Sequence, residues 1–370
     1  MRLASYNVEN LFNRAKVMNL DGWENGKITL EKFSKLNQIL GELHYSGSAK
    51  IEIARLLTEL GLAESDQSEY VILRQNRSRL VKRPQTGGIQ VIADGRGDWI
   101  GSLELIEDSV DEDAMKNTAR VMIDLKADVL AVVEAESRPA LRDFNEEIIR
   151  GLGENPFKHV MLIDGNDSRG IDVGIVTANG YPIDTMRSHV DDQTDAGQLI
   201  FSRDCPEFHI TTPSGNKLVV LVNHFKSKGY GTQSDSDTKR KLQAEKVRDI
   251  YTTLLDSGEK YIAIVGDLND TPDSSPLEPL IIGTNLQDAF IHPDFDNGGF
   301  PGTYGLCNES NKIDYLLLSP DLFNKVLKGG VLRTGMWPGS NPARWPVYTN
   351  LIDKKQAGSD HAAVWIDLDL

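Results

Sequence analysis

Asn7, Glu134, Asp267, Asn269 and Asp360 each stand at the end of an apolar stretch, or just before one: SYN, VVE, IVGDLND and SDHAAVW. All five offer oxygen. Carboxylates that must be desolvated together are costly unless a cation joins them. Oxygen donors of these types suit a hard divalent ion, Mg²⁺ or Mn²⁺ with Ca²⁺ as a third choice, and not zinc. The metal ligands expected are Asn7, Glu134, Asp360 and Asp267. Taken singly each has an ordinary explanation. Asn7 can form a turn, Glu134 can cap a helix, and GDLND can be a strand-ending turn; it is their recurrence at strand ends that points to a site.

Two histidines abut apolar strands, His224 in LVNHFKSKG and His361 in SDHAAVW. A lone histidine there is usually structural, but these sit beside Asn223 and Asp360. The cations nearest in sequence are Arg169, Lys226 and Lys228, and with Asn223 they are the expected phosphate contacts. A solvated basic loop is the ordinary alternative for the two lysines.

Those residues need a scaffold of strands. The apolar runs Val129–Val133, Val173–Thr177, Leu218–Val222, Tyr261–Val265, Tyr315–Leu318 and Ala362–Ile366 read as strands, and 2–8 as another. Helical patterns fall at 111–126 and 238–255. Between about 13 and 117 the pattern changes. Lys27–Gly61 reads as two amphipathic helices, and Tyr70–Leu73 and Ile89–Ile92 as strands joined by a basic stretch with Arg74, Arg77, Arg79, Lys82 and Arg83. One domain of the α/β or α+β class over 1–370, with an inserted helical and β-hairpin segment at 13–117, accounts for this order.

Composition is that of a globular protein, with 39% hydrophobic and 26% charged residues. The net charge of −15 argues against tight non-specific DNA binding, which needs a basic face. Cys205 and Cys307 lie in no Cys/His cluster and are expected to be reduced. No apolar run approaches the length of a membrane span and no signal peptide opens the chain, so a cytoplasmic protein with no membrane partner is expected. Oligomeric state is not legible.

The motifs SYNVENLF, DVLAVVEAE, RGIDVGIV, VNHFKSKG, GDLND, KIDYLLLS and SDHAAV occur in the order of the endonuclease/exonuclease/phosphatase superfamily, which the chain resembles from Asn7 to His361. The VNHFKSKG form looks most like bacterial extracellular-type nucleases. The resemblance implies a DNase I-like, four-layered α/β sandwich, two packed mixed sheets flanked by helices, with the site at one open edge. It implies that Asn7 and Glu134 bind metal and that Asp267 and Asn269 contact metal, water and phosphate. It makes His361 the catalytic histidine with Asp314 as its carboxylate, and pairs His224 with Asp172. Two departures stand out. The segment at 13–117 is extra, and Val133 stands where the family often has Gln.

The function implied is divalent-metal-dependent hydrolysis of phosphodiesters, with nucleic acid as substrate. A phosphatase or phospholipase-like hydrolase of a small or lipid phosphoester is the alternative. Trp337 and Trp345 are the only hint of membrane action. A non-catalytic binding module on the same fold should have lost Glu134, Asp267 or His361, and none is lost.

Overall fold

The apolar runs that lead to the candidate residues are strands buried on both faces, which is why they read as continuous and not as alternating. In Lys217–His224, the side chains of Leu218, Val220 and Val222 face one way, and those of Val219 and Leu221 the other. In Val129–Ala135 the division is Val129, Ala131 and Val133 against Leu130 and Val132. The computed structural model describes residues 1–20, 23–85, 87–167, 169–228 and 232–370, without the side chains of 23 and 24.

The first sheet has seven strands, in the order Phe295–Asp296, Val326–Leu332, Ala363–Leu368, Arg2–Asn7, Val129–Ala135, Asp172–Thr177 and His159–Ile163. The second has six: Ile183–Arg187, Glu207–Thr211, Lys217–His224, Tyr261–Asp267, Asp314–Leu318 and Gln287–Asp288. Their inner faces share one core, in which Leu3, Val133, Ile175 and Ile366 of the first meet Phe208, Val220, Val265 and Leu316 of the second. Helix Glu112–Leu125 covers the outer face of the first sheet with Ala119, Met122 and Leu125. Asp111 caps its start and Lys126, in the left-handed region, ends it. Helix Gln233–Asp256 covers the second with Ala244, Val247, Ile250, Tyr251 and Leu254. Helix, sheet, sheet, helix is the four-layered sandwich expected.

Strand direction brings the candidate residues to one edge. Arg2–Asn7 runs parallel to Val129–Ala135, with Asn7 opposite Val133. Lys217–His224 runs parallel to Tyr261–Asp267, with His224 opposite Asp267. Asp314–Leu318 and Asp172–Thr177 are antiparallel to their neighbours, so their first residues lie at that same edge, Asp314 opposite Asp267 and Asp172 opposite Ala135. Gly266 makes the approach possible. Its φ is +119°, and a Cβ there would lie 2.0 Å from the carbonyl oxygen of Asn223. Gly266→Ala is therefore expected to destabilise the protein by roughly 3 kcal/mol or more, a backbone incompatibility beyond an ordinary substitution. A denaturant midpoint equal to the parent's would contradict it.

Residues 13–109 form a compact unit of their own, which ends short of 117. Its core joins Phe33, Leu36 and Leu40 of helix Trp23–Leu40 to Ile53, Leu56 and Leu57 of helix Gly47–Glu59, and to Val71, Leu73 and Leu103. The two strands expected here do not form one hairpin. Val71–Arg77 pairs with Ile100–Leu105, and Gln90–Val91 pairs with Val81–Lys82. Ser78 turns the chain in the left-handed region, and the Gln75 side-chain oxygen accepts from the backbone N–H groups of Leu80 and Val81, so the chain folds back well before Ile89. Both cysteines are free and buried. Among the described residues no helix is long and apolar enough to cross a membrane. Trp345 is buried edge-on against Phe300 and offers nothing to a bilayer.

Candidate active site

Asp267 is the centre of the edge. It ends its strand, is 2% exposed, and one of its oxygens, Oδ1, accepts from the backbone N–H of Asn269 at 2.8 Å. Asn269 takes φ +54° to allow this and donates its own amide to the Phe225 carbonyl. The other oxygen, Oδ2, accepts from Asn7 Nδ2 at 3.3 Å and lies 3.8 Å from Nε2 of both His224 and His361. The two imidazoles thus face one carboxylate oxygen, and their Nε2 atoms are no further apart than twice that distance. Glu134 completes the group, with Oε1 3.5 Å from His224 Nε2. It holds φ +66°, a strained conformation for a side chain other than glycine that costs about 1–3 kcal/mol and concentrates at functional sites. The second glutamate of the same motif, Glu136, is spent on the backbone N–H groups of Leu11 and Phe12.

His361 is held from three sides. Asp314 Oδ2 contacts its Nδ1 at 2.9 Å. Ser359 Oγ accepts from its backbone N–H and donates to the Asn7 carbonyl, which ties the loop to the first strand. Tyr304 covers the ring at 4.8 Å between centroids, and its neighbours Thr303 and Gly305 bond the backbone on either side of His361. Burial alone would favour the neutral imidazole, but Asp314, then Asp267 and Asp360, outweigh it and raise the His361 pKa well above its ordinary range. Asp360 lies against His361, Oδ1 to Nε2 3.8 Å, and its N–H donates to Glu9.

His224 differs in its partners. Its expected pairing with Asp172 does not form. Asp172 accepts from the Gly165 N–H at 2.8 Å, and His224 Nδ1 is buried with no partner. Burial, then Arg203 and Arg169, push the His224 pKa well down, so the ring is neutral. Burial also pushes Asp172 up to about 7. Asn223 is a second correction. It points to the opposite face of the strand from His224, is fully buried, and donates to the Leu221 carbonyl, so it does not reach the pocket. Strand alternation decides this.

Of the cations, Lys228 is ion-paired to Asp270 at 2.5 Å, and Asp270 also takes the buried Arg240. Arg169 shares Asp167 with Arg203, at 2.6 and 3.0 Å. Arg203 is 1% exposed, and neither it nor Asp167 stood out in the sequence. Burial, then the two arginines, push Lys226 down to about 7.

The donor set fits a divalent cation. Glu134, His224 and Asp267 offer ligand atoms within 4.8 Å of one another, as do Asp267, Asp314 and His361. Burial pushes the Asp267 carboxyl up to about 8, with Asp314 and Glu134 adding to the rise, a concentration of negative charge that a cation would relieve.

The sequence model of the endonuclease/exonuclease/phosphatase family matches residues 105–292, just over half of the chain. The chain belongs to the endonuclease/exonuclease/phosphatase family. Among solved structures it is similar to the mannosyl-6-phosphatase of Bacteroides thetaiotaomicron, with 15% identity, a TM-score of 0.51, and coverage of 70% of this chain and 92% of that one. A second likeness is to a family protein of the same organism, at 15% identity and TM-score 0.50 over 69% and 88%. At these identities the likeness speaks for the fold. No curated protein matches the chain in sequence. About 30% of this chain lies outside its match to the mannosyl-6-phosphatase.

Proposed function

We propose that this chain is a divalent-metal-dependent phosphodiesterase acting on nucleic acid, with Mg²⁺ or Mn²⁺ as its ion. The observation that carries the reading is the convergence of Asn7, His224 and His361 on one oxygen of Asp267, with Glu134 beside them. Glu134 and Asp267 would hold the cation, with His224 in reach and Asp360 near, and Asn7 would join them through its Oδ1, which accepts from the Glu9 N–H while its Nδ2 faces Asp267. Bound there, the ion would neutralise charge developing on the phosphoryl oxygens.

The chain's own groups do the rest. His361, kept protonated by Asp314, donates to a phosphoryl or leaving oxygen, and Asp314 fixes which ring nitrogen carries the exchangeable proton. Asn269, anchored through its amide, shares the turn with Asp267 and positions the attacking water against it. Neutral His224 offers a hydrogen bond without adding charge. Arg169, its charge shared with Asp167, is the permanent cation on this side, and Lys226, pushed down to about 7, adds part of a charge for the phosphate to meet. Purified protein with Mg²⁺ or Mn²⁺ should be given plasmid, single-stranded DNA, RNA, bis-p-nitrophenyl phosphate and inositol phosphates. Cleavage of a polynucleotide supports the reading, and turnover of inositol phosphates alone would replace it with the second reading, a small-phosphoester hydrolase. That second reading draws on the phosphatase activity named for the Bacteroides thetaiotaomicron neighbour.

A polynucleotide needs cations to meet its backbone. In the 13–109 unit Arg74 is paired with Glu104, and Arg83 with Asp66. Arg77, Arg79 and Lys82 are exposed. Replacing those three by Ala is expected to weaken binding to single-stranded DNA and to flatten its salt dependence by up to about 2 in the log–log slope, at ~0.7 per lost phosphate contact. Turnover of bis-p-nitrophenyl phosphate should hold. Parallel salt plots for parent and variant would rule out a role for this surface.

A further inference from the structure

Helix Gln233–Asp256 changes character along its buried stripe. Ala244, Val247, Ile250, Tyr251 and Leu254 are apolar, whereas Ser236, Arg240 and Gln243, nearer its start, are polar and fully buried. Two of these close on one residue of the loop that follows His224. Gln243 Oε1 accepts from the Lys226 N–H at 2.9 Å, and Arg240 Nη1 donates to the Lys226 carbonyl at 2.9 Å. Arg240 also holds Asp270 through Nε at 3.0 Å, and Asp237. Asp270 directly follows Asn269. The Gln243 amide nitrogen is buried and has no hydrogen-bond partner among the described residues. An unsatisfied buried amide is costly, and an aliphatic side chain on this face would avoid that cost. What Gln243 supplies that an aliphatic side chain cannot is the acceptor.

One peptide unit transmits the hold. The Lys226 N–H and the Phe225 carbonyl belong to the same planar trans amide and point in opposite directions. Gln243 takes one side of it. On the other side the Phe225 carbonyl accepts from Asn269 Nδ2 at 3.1 Å and from Arg203 Nη1 at 3.3 Å. Turning this plane would carry the carbonyl away from Asn269, whose left-handed backbone also donates to Asp267. We infer that Gln243, with Arg240 beside it, is a positioning residue: it sets the plane of the peptide between Phe225 and Lys226, and that peptide sets the Asn269 amide. Among the described residues Gln243 bonds none of the groups that converge on Asp267, so its effect reaches the reacting atoms through Asn269. Arg240 ties the next carbonyl to the acid after Asn269, which holds the loop behind His224 and the turn behind Asp267 together. The inference rests on the phosphodiesterase reading, in which Asn269 positions the attacking water.

The test is a double-substitution cycle with Gln243→Met and Asn269→Ala, read on bis-p-nitrophenyl phosphate with Mn²⁺ present. Methionine matches glutamine in length, adapts to a buried site and removes the acceptor. Gln243→Met is expected to lower kcat about tenfold with KM within about twofold of the parent's, the effect of a small misplacement remote from the chemistry. Made in the Asn269→Ala background, the same substitution should cost nothing more, because the group it acts through is gone. An unchanged kcat overturns the inference. So do losses that multiply in the double variant, which mark a general effect on the fold. If Gln243→Met does not fold, Gln243→Asn, one methylene shorter, replaces it in the cycle and is held to the same outcomes. If the parent hydrolyses nothing in the substrate panel, the phosphodiesterase reading fails by itself, and a crystal structure of the Gln243 variant decides the positioning. Asn269 Nδ2 parted from the Phe225 carbonyl supports it, and a bond kept at 3.1 Å overturns it.

Discussion

Treatment with EDTA is expected to lower hydrolysis of bis-p-nitrophenyl phosphate by about 10³-fold or more, and added Mg²⁺ or Mn²⁺ to restore it, since charge neutralisation at the phosphoryl oxygens is worth several kcal/mol. The expectation comes from the acids at the edge. Asp267 is 2% exposed and is pushed up to about 8 by burial, with Asp314 and Glu134 close by. A cation among these groups competes with the proton on Asp267, so its binding should release protons and weaken as the pH is lowered. A measurement free of turnover separates binding from catalysis. At a metal concentration near 100 times Kd, the parent should gain about 2.7 kcal/mol of stability. Glu134→Gln keeps the shape and loses the charge, and should lose most of that gain. A thermal midpoint blind to Mg²⁺ and Mn²⁺, or a Glu134→Gln protein as responsive as the parent, would remove Glu134 from the metal site.

Asn7, Glu134, Asp267, Asp314 and His361 were legible because each is fixed by its offset from an apolar run, and in parallel or antiparallel strands that offset sets the edge at which the residue emerges. Asn223 was misread for a related reason. A strand buried on both faces carries no alternation from which to tell whether position 223 or 224 faces the pocket. The pairing of Asp172 with His224 failed on register. Asp172 sits across from Ala135 beyond a bulge and accepts from the Gly165 N–H, while His224 stands in the sheet that packs against its own. Tyr304 and Ser359 gave no signal, because a loop tyrosine and a serine before an aspartate are ordinary until the bridge between Tyr304 and His361 brings them together. Arg203 lay outside every motif, and its shared hold on Asp167 and its bond to the Phe225 carbonyl tie it to the site.

His361→Ala is expected to lower kcat by about 10²- to 10⁴-fold, the range for loss of a positioned proton donor, with little change in the affinity for metal. The partner acid sharpens this. Asp314 contacts Nδ1 at 2.9 Å and is the main group raising the His361 pKa, against a burial that would lower it. In Asp314→Asn the burial remains and that charge is gone, so the imidazole loses its proton at lower pH. If activity requires the protonated ring, the alkaline limb of the kcat profile must move toward acid, and the rate at neutral pH falls with it. Asp172→Asn serves as the control. Its carboxyl does not reach His224, whose ring is already neutral under burial and the fields of Arg203 and Arg169. That variant should lose far less than Asp314→Asn and leave the alkaline limb in place. Equal losses and equal shifts in the two Asn variants would mean that the hydrogen bond to His361 carries no special weight, and the proton would have to be assigned to another group at this edge.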